Sequence, residues 1–325
     1  MTSTTRAPFP IALGCMGMSR MYGASDGDES IATIHAALER GVDLLDTGDF
    51  YGQGHNELLI GRALRDRRDH ARVSVKFGAL RGPDGAWLGA DGRPAAVKNF
   101  LAYSLVRLGL DHIDVYRPAR LDPAVPIEDT IGAIADLVKA GYVKEIGLSE
   151  VGADTIRRAH AVHPIVDLQI EYALVSRGPE RAIFPVLAEL GIGVTAYGVL
   201  SRGLLAGSKP QDPNDFRTYL PRFAGANGEK NAAVVETLQA LAAARGVTVA
   251  QLCVAWVLAK QQAAGTRIVP VMGARTRAQL DDALGAIALK LSAEDIAAIE
   301  SAVPADAIAG SRYPDAMLKH MDSER

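Results

Sequence analysis

The sequence predicts a closed (β/α)8 TIM barrel, an α/β fold, and three observations carry that prediction. Eight short apolar runs, starting at Ile11, Val42, Val73, His112, Val143, Ile165, Ile192 and Arg267, alternate with stretches of helical periodicity. The runs are apolar along their length, as strands of a parallel sheet covered on both faces are. The rival, a doubly wound open sheet, needs a glycine-rich phosphate turn. No G-x-G-x-x-G follows a strand, and Gly191-Ile192-Gly193 starts one instead.

Taken in order, Ile11 to Met18 reads as a buried strand entering a glycine-containing loop. Asp28-Glu29-Ser30 opens a helix with apolar positions at Ile31, Ile34, Ala37 and Leu38, and Gly41 stops it. Val42 to Asp46 is the next strand, Glu57 to Arg65 the next helix, and Val73 to Phe77 a third strand. A long loop, Arg81 to Pro94, carries Trp87 among glycines. Helices are expected over Val97 to Leu108, Ile127 to Lys139, Ala153 to His160 and Glu180 to Leu190. Between them run strands at His112 to Tyr116, Val143 to Leu148, Ile165 to Ile170 and Ile192 to Tyr197. After a polar loop through Phe223 come helix patterns at Asn231 to Ala244 and Val249 to Lys260. A last strand, Arg267 to Val271, precedes helices at Arg277 to Ala286 and Ala293 to Ala302. The reading is one barrel domain, 1–325, with loop insertions around 79–96 and 204–230 and a helical C-terminal tail.

Composition narrows the function classes. Hydrophobic residues make up 48% of the chain, so a sizeable core is expected. A formal charge of -3 gives no electrostatic reason to expect nucleic acid or an anionic membrane as partner. No apolar run is long enough to span a bilayer, and Met1 to Pro10 lacks the apolar core of a signal peptide. Cys15 and Cys253 are too far apart in sequence to suggest a disulfide framework or a metal site. A soluble protein of a reducing compartment, the cytoplasm, is the expectation.

The chemistry gathers at strand ends. Leu44-Leu45-Asp46 closes one apolar run on an acid, Tyr51 follows in a glycine-flanked loop, and the next strand ends on Lys76. Barrel enzymes keep their reactive groups at the C-terminal ends of strands and in the loops above them. A phenol near pKa 10 is a poor acid at neutral pH; a neighbouring ammonium favours its phenolate, and a carboxylate can hold that ammonium in place. Asp46, Lys76 and Tyr51 could form such a relay, although spacing alone leaves open a surface tyrosine beside a structural ion pair.

The stretch from Gly41 through Asp46-Thr47 and Tyr51-Gly52 to Asn56-Glu57 resembles the first signature of the aldo-keto reductases. Val75-Lys76-Phe77-Gly78 is similar to their lysine signature. Val143 to Glu150, Leu168 to Tyr172, Ala196 to Leu205 and Val269 to Arg275 resemble further segments, in order, from about residue 10 to residue 300. The resemblance implies a barrel that binds NADP(H) extended, without a Rossmann domain, and passes hydride to the carbonyl carbon of an aldehyde or ketone. On it, Tyr51 is the general acid, Lys76 lowers its pKa and Asp46 orients Lys76. Ser149 and Gln169 are expected to hold the carboxamide, and Tyr197 to stack on the nicotinamide. Gly198, Val199, Leu200, Ser201 and Arg202 line the pyrophosphate, where backbone N–H groups are natural anion donors. Gly273, Arg275, Gln279 and Asp282 take the adenosine end. Arg275 at a helix start suits a 2′-phosphate, which favours NADPH over NADH.

The pattern breaks at one catalytic position. Relatives carry a histidine in a segment ending Tyr-Gln-His-Arg-x-Asp-Pro; here Arg120, Asp122 and Pro123 fix the register and put Ala119 in its place. His112 lies at the other end of that strand, and His160 and His163 have no acid or cysteine at ligand spacing, so no metal is expected. Loss of a carbonyl-polarising donor can cost on the order of 100- to 1000-fold in turnover. The expectation is therefore a slow or substrate-restricted reductase. Two alternatives are an NADPH-binding sensor or partner subunit with vestigial chemistry, and a hydride-transfer enzyme acting on C=C bonds or oxidising alcohols. Trp87 and Tyr22 are the candidate substrate contacts; neither substrate nor oligomeric state is legible.

Overall fold

The computed structural model describes residues 9–210, 212, 215–319 and 321–324. Residues 1–8, on which the absence of a leader was read, and 211, 213 and 214 of the expected insertion lie outside that set. Strands in chain order are β1 (Ala12–Gly14), β2 (Leu44–Gly48), β3 (Arg72–Phe77), β4 (Ala79–Arg81) and β5 (Trp87–Ala90). They continue with β6 (Ile113–Pro118), β7 (Val143–Ser149), β8 (Ile165–Glu171), β9 (Gly193–Tyr197) and β10 (Ile268–Gly273). Helices are α1 (Gly27–Glu39), α2 (His55–Leu64), α3 (Pro94–Leu108), α4 (Ile127–Lys139), α5 (Ala153–Val162) and α6 (Pro179–Leu190). After β9 come α7 (Gly225–Ala243), α8 (Val249–Ala259) and α9 (Gln261–Ala264), and after β10 come α10 (Arg277–Gly285), α11 (Ala293–Ala302) and α12 (Asp315–Leu318).

Eight strands close a parallel barrel in the order β1-β2-β3-β6-β7-β8-β9-β10, with β10 returning to β1. The predicted fold class stands. The antiparallel pair β4–β5 is an addition: the glycine-rich loop read from Arg81 to Pro94 folds as a hairpin over the barrel mouth. Its strands are too short to show a period, and Gly85, with φ of 81°, supplies the turn.

Period-two alternation sorts the barrel's side chains. On β3, Val73, Val75 and Phe77 face the surrounding helices and join the large core with Ile60, Leu101 and Ile131. Ser74 and Lys76 therefore face the lumen, where both are buried. Phe77 stacks on Tyr116 of β6 with ring centroids 4.2 Å apart, fixing these strands against α3. Helix ends follow local chemistry. Asp26 caps α1 by accepting from the Asp28 and Glu29 N–H groups at 2.8 and 3.0 Å, two residues before the acid expected to open it. Thr248 and Gln251 form a capping box on α8. Among the described residues no helix is long and apolar enough to cross a membrane.

Candidate active site

Register sets the first constellation. Asp46 of β2 pairs across from Ser74 of β3, and Gly48 from Lys76, so the acid and the lysine share the lumen face one layer apart. Lys76 Nζ donates to Asp46 Oδ2 at 2.7 Å, with the two side chains 4% and 6% exposed. Asp46 Oδ1 accepts from Ser74 Oγ at 3.1 Å and from Gln169 Nε2 at 2.8 Å. One carboxylate thus ties β2, β3 and β8 together beneath the mouth. Burial pushes the Lys76 ammonium down, against the pull of Asp46.

Tyr51 stands above this cluster because the chain reverses directly after it. Gly52 and Gln53 both adopt left-handed backbone, with φ of 55° and 51°. A Cβ at Gly52 would meet the Ser19 and His55 Cβ atoms at 3.1 and 3.2 Å, so any other residue there would be both crowded and strained. Tyr51 is 7% exposed, and Lys76 Nζ lies 5.0 Å from its ring centroid. The environment raises the phenol well above its ordinary value, through burial first and then the Asp46 charge; Arg120 acts in the opposite direction. This differs from the lowering expected of Lys76. The ammonium is engaged by Asp46 and lies over the ring, while burial dominates at the hydroxyl.

Ala119 follows β6, 1% exposed, with its N–H donating to the Phe77 carbonyl at 2.8 Å. It shares a face with Arg117, which reaches Ser74 Oγ and Asp167 Oδ2 at 3.1 Å inside the barrel. His112 sits at the opposite end of β6, beside Arg68 and Asp111.

Two buried glutamates at strand ends were not singled out in the sequence. Glu150, immediately after Ser149, has φ of 53°, a strained conformation for a residue with a Cβ. Its carboxylate accepts from the Tyr197 hydroxyl at 2.7 Å, the Glu171 N–H at 3.0 Å and Arg312 at 2.8 and 2.6 Å. Burial pushes that carboxyl up, but Arg312, with help from Arg120 and Ser323, holds it down at about 2. Glu171 pairs with Arg202 at 3.0 Å and Arg222 at 3.3 Å. Tyr313 shares a hydrogen bond with the Tyr197 hydroxyl at 3.2 Å and lies under Arg202, 4.5 Å from Cζ to ring centroid. Glu150 could have been found from its place inside a matched segment. Arg312 and Tyr313 lie beyond those segments, and no sequence signal marks them.

The expected cofactor residues fall in three places. Gly198 to Arg202 form a tight turn above β9, with left-handed backbone at Gly198 (φ 69°), Ser201 (φ 46°) and Arg202 (φ 57°). Among the described residues, the N–H groups of Val199, Leu200 and Arg202 donate to no protein acceptor, so this turn keeps three free donors for an anion. Ser149 pairs with Gln169 across β7–β8, and Gln169 reaches Asp46. Gly273 ends β10, and Gln279 Oε1 accepts from the Arg275 N–H at 2.9 Å at the start of α10. The Arg275 guanidinium reaches the Tyr22 and Ala24 carbonyls, at 3.1 and 3.0 Å, and among the described residues it has no carboxylate within 4.0 Å. Asp282 stands apart: it accepts from Thr248 Oγ1 at 2.8 Å and ties α10 to the cap of α8. Tyr22 lies under Arg217, and burial pushes its hydroxyl up to about 12. Trp87 opens β5 with its ring 5.4 Å from Arg81 Cζ.

The comparisons agree with this geometry. The sequence profile of the Aldo/keto reductase family matches residues 10–304. A probable aldo-keto reductase 1 of Glycine max is 41% identical over 310 residues, covering 93% of this chain and 88% of that protein. A glycerol dehydrogenase structure from Gluconobacter oxydans superposes with a TM-score of 0.81 at 29% identity, covering 94% and 96% of the two chains. An aldo/keto reductase from Klebsiella pneumoniae, solved with NADP and acetate, shares the fold at a TM-score of 0.72 and 24% identity, over 91% and 92% of the chains. With its barrel, its strand-end cluster and a profile match over nearly its whole length, the chain belongs to the aldo/keto reductase family.

Proposed function

We propose that the protein is an NADP(H)-dependent reductase of small-molecule carbonyl compounds, with Tyr51 as proton donor. The observation that carries the reading is the buried Asp46–Lys76–Gln169 cluster lying under Tyr51 at the C-terminal end of the barrel. The residues present fit the cofactor on their own chemistry. Among the described residues, Val199, Leu200 and Arg202 offer unused N–H donors, and Arg275, just before a helix start, has no carboxylate in contact. Ser149 and Gln169 would hold the carboxamide, Tyr197 the ring, and Arg275 with Gln279 the 2′-phosphate end. When bound, the dihydronicotinamide supplies the hydride.

The chain's own part is the proton. With its pKa raised, Tyr51 stays protonated through neutral pH and can hydrogen-bond a carbonyl oxygen through Oη. As charge moves onto that oxygen, Tyr51 releases its proton to it. The phenolate left behind lies near Lys76 and Arg120, whose charges favour it. Asp46 keeps Lys76 oriented and Gln169 keeps Asp46 oriented, so the cluster needs little reorganisation. Tyr51→Phe is expected to lower kcat by about 100- to 10,000-fold while NADPH affinity, read by fluorescence titration, changes little. Native-like turnover in that variant would sink the mechanism.

A further inference from the structure

Among the described residues, the guanidinium groups of Arg120 and Arg81, close to Tyr51, have no carboxylate in contact. Arg120, directly after Ala119, bends back so that Nη1 donates to the Ala119 carbonyl at 2.6 Å and Nη2 to the Tyr313 hydroxyl at 3.5 Å. Arg81, at the end of β4, donates to the Gly85 carbonyl at 3.2 Å, and its Cζ lies 5.9 and 5.4 Å from the rings of Phe50 and Trp87. Among the described residues neither has a carboxylate within 4.0 Å, although both are half-buried. Their neighbours are treated differently: Arg202 and Arg222 have Glu171, Arg312 has Glu150, and Arg217 has Asp215.

These two cations bracket the reacting phenol. Phe50, beneath Arg81, packs edge-on against Tyr51 with centroids 4.8 Å apart. Arg120 reaches the Tyr313 hydroxyl, which in turn meets Tyr197 at 3.2 Å. They also feel one another: burial, then the Arg120 charge, pushes the Arg81 guanidinium down. Among the described residues, Arg81 is a half-buried cation with no carboxylate in contact, Arg120 has only the longer-range charge of Glu150, which Arg312 already engages, and two cations near each other repel. An oxyanion arriving between them offsets both costs, and guanidinium groups held against aromatic rings leave their N–H edges free for it.

We propose that Arg120 and Arg81 recognise an oxyanion group on the substrate, a carboxylate or a phosphate, so that the enzyme prefers anionic carbonyl compounds. The proposal rests on the reading of Tyr51 as proton donor, which fixes where the carbonyl lies. Arg120 then has a use that does not depend on the missing histidine: it holds the far end of the substrate while Tyr51 engages the oxygen.

The test uses the full-length protein with NADPH and two matched pairs. One is 4-carboxybenzaldehyde against methyl 4-formylbenzoate; the other is glyceraldehyde 3-phosphate against glyceraldehyde. At least one anionic member is expected to have kcat/KM about 10- to 100-fold above its neutral partner, the value of a charged hydrogen-bonded pair. Preference in the first pair alone identifies a carboxylate, and in the second alone a phosphate. The ratio should fall toward parity in Arg120→Met, be partly kept in Arg120→Lys, and shrink in Arg81→Met. Equal kcat/KM within both native pairs overturns the proposal, and so does a preference that survives both methionine variants. The native pairs decide the matter even if a variant fails to fold. Binding of the four compounds, followed by tryptophan fluorescence, separates this proposal from the reductase reading. Anion-selective binding without turnover keeps the arginine pair and rejects the reductase; turnover without anion preference does the reverse; neither one rejects both.

Discussion

By the family resemblance read from the sequence, Ala119 puts a methyl group where a carbonyl-polarising imidazole is expected, and the backbone around it is fixed by its bond to Phe77 and by Pro118. On the proposed mechanism Tyr51 carries proton donation alone, with the Arg120 charge favouring the phenolate it leaves. Ala119→His is expected to raise kcat on a neutral activated aldehyde by about 10-fold or more, toward the 100- to 1000-fold one such donor supplies. NADPH oxidation with 4-nitrobenzaldehyde reads this directly, and no gain in a well-folded variant would mean that the space is already served by another group. Asp46, Tyr51 and Lys76 were legible in the sequence because an acid or lysine closing an apolar strand is conspicuous. The direction of the Tyr51 shift was not, because it is set by burial in the closed barrel and by the Asp46 charge, with smaller electrostatic contributions from Tyr22 and Tyr313 of remote segments.

At the scale of elements, α10 and the turn after β9 carry the cofactor reading. Arg275 and Arg277 flank the Thr276 cap of the same helix, yet among the described residues only Arg277 has an acid in contact, Glu29, at 2.9 Å. Arg275→Ala is expected to raise the KM for NADPH by about 10- to 100-fold and leave that for NADH within about threefold, whereas Arg277→Ala changes neither comparably. The ratio of the two KM values is the useful number, since Arg275 also steadies the loop at Tyr22. Equal loss on both cofactors would make Arg275 a loop anchor only. Strands and most helices were readable from periodicity, but α7 begins at Gly225, six residues before the Asn231 expected. Gly225 and Gly228 are poor helix formers, and packing of the inserted loop overrides them. Asp282 has helical spacing from Arg275 and Gln279, yet it is drawn to Thr248, a partner no local pattern reveals.

At the scale of the whole molecule, the C-terminal stretch returns across the barrel and locks onto its mouth through Arg312, which pairs with the buried Glu150 at 2.6 Å and lies 3.8 Å from the buried Glu171. Glu150 is fully buried and Arg312 is 11% exposed, and Ser323 and Glu324 hold the same guanidinium from the chain's end. Nothing local in the sequence joins residue 150 to residue 312; only closure of the barrel brings them together. Removing one partner of a buried pair costs about 3–5 kcal/mol because the other charge is stranded, and Arg312→Met is expected to fall in that range. The pH dependence tests the cause. In the native protein the Glu150 value of about 2 lies below its unfolded value, so its contribution is full above roughly pH 4 and lost as pH falls toward 2. Without Arg312, burial becomes the ruling influence and the folded value rises above the unfolded one, so stability now falls as pH rises through it. The deficit of Arg312→Met, measured by urea unfolding at pH 4, 5.5 and 7, should therefore grow with pH. Adding Glu150→Gln should recover part of it at pH 7 and little at pH 4. A deficit equal at all three pH values would mean that Arg312 acts through packing over Tyr313, and that the charge on Glu150 is not what fastens the tail.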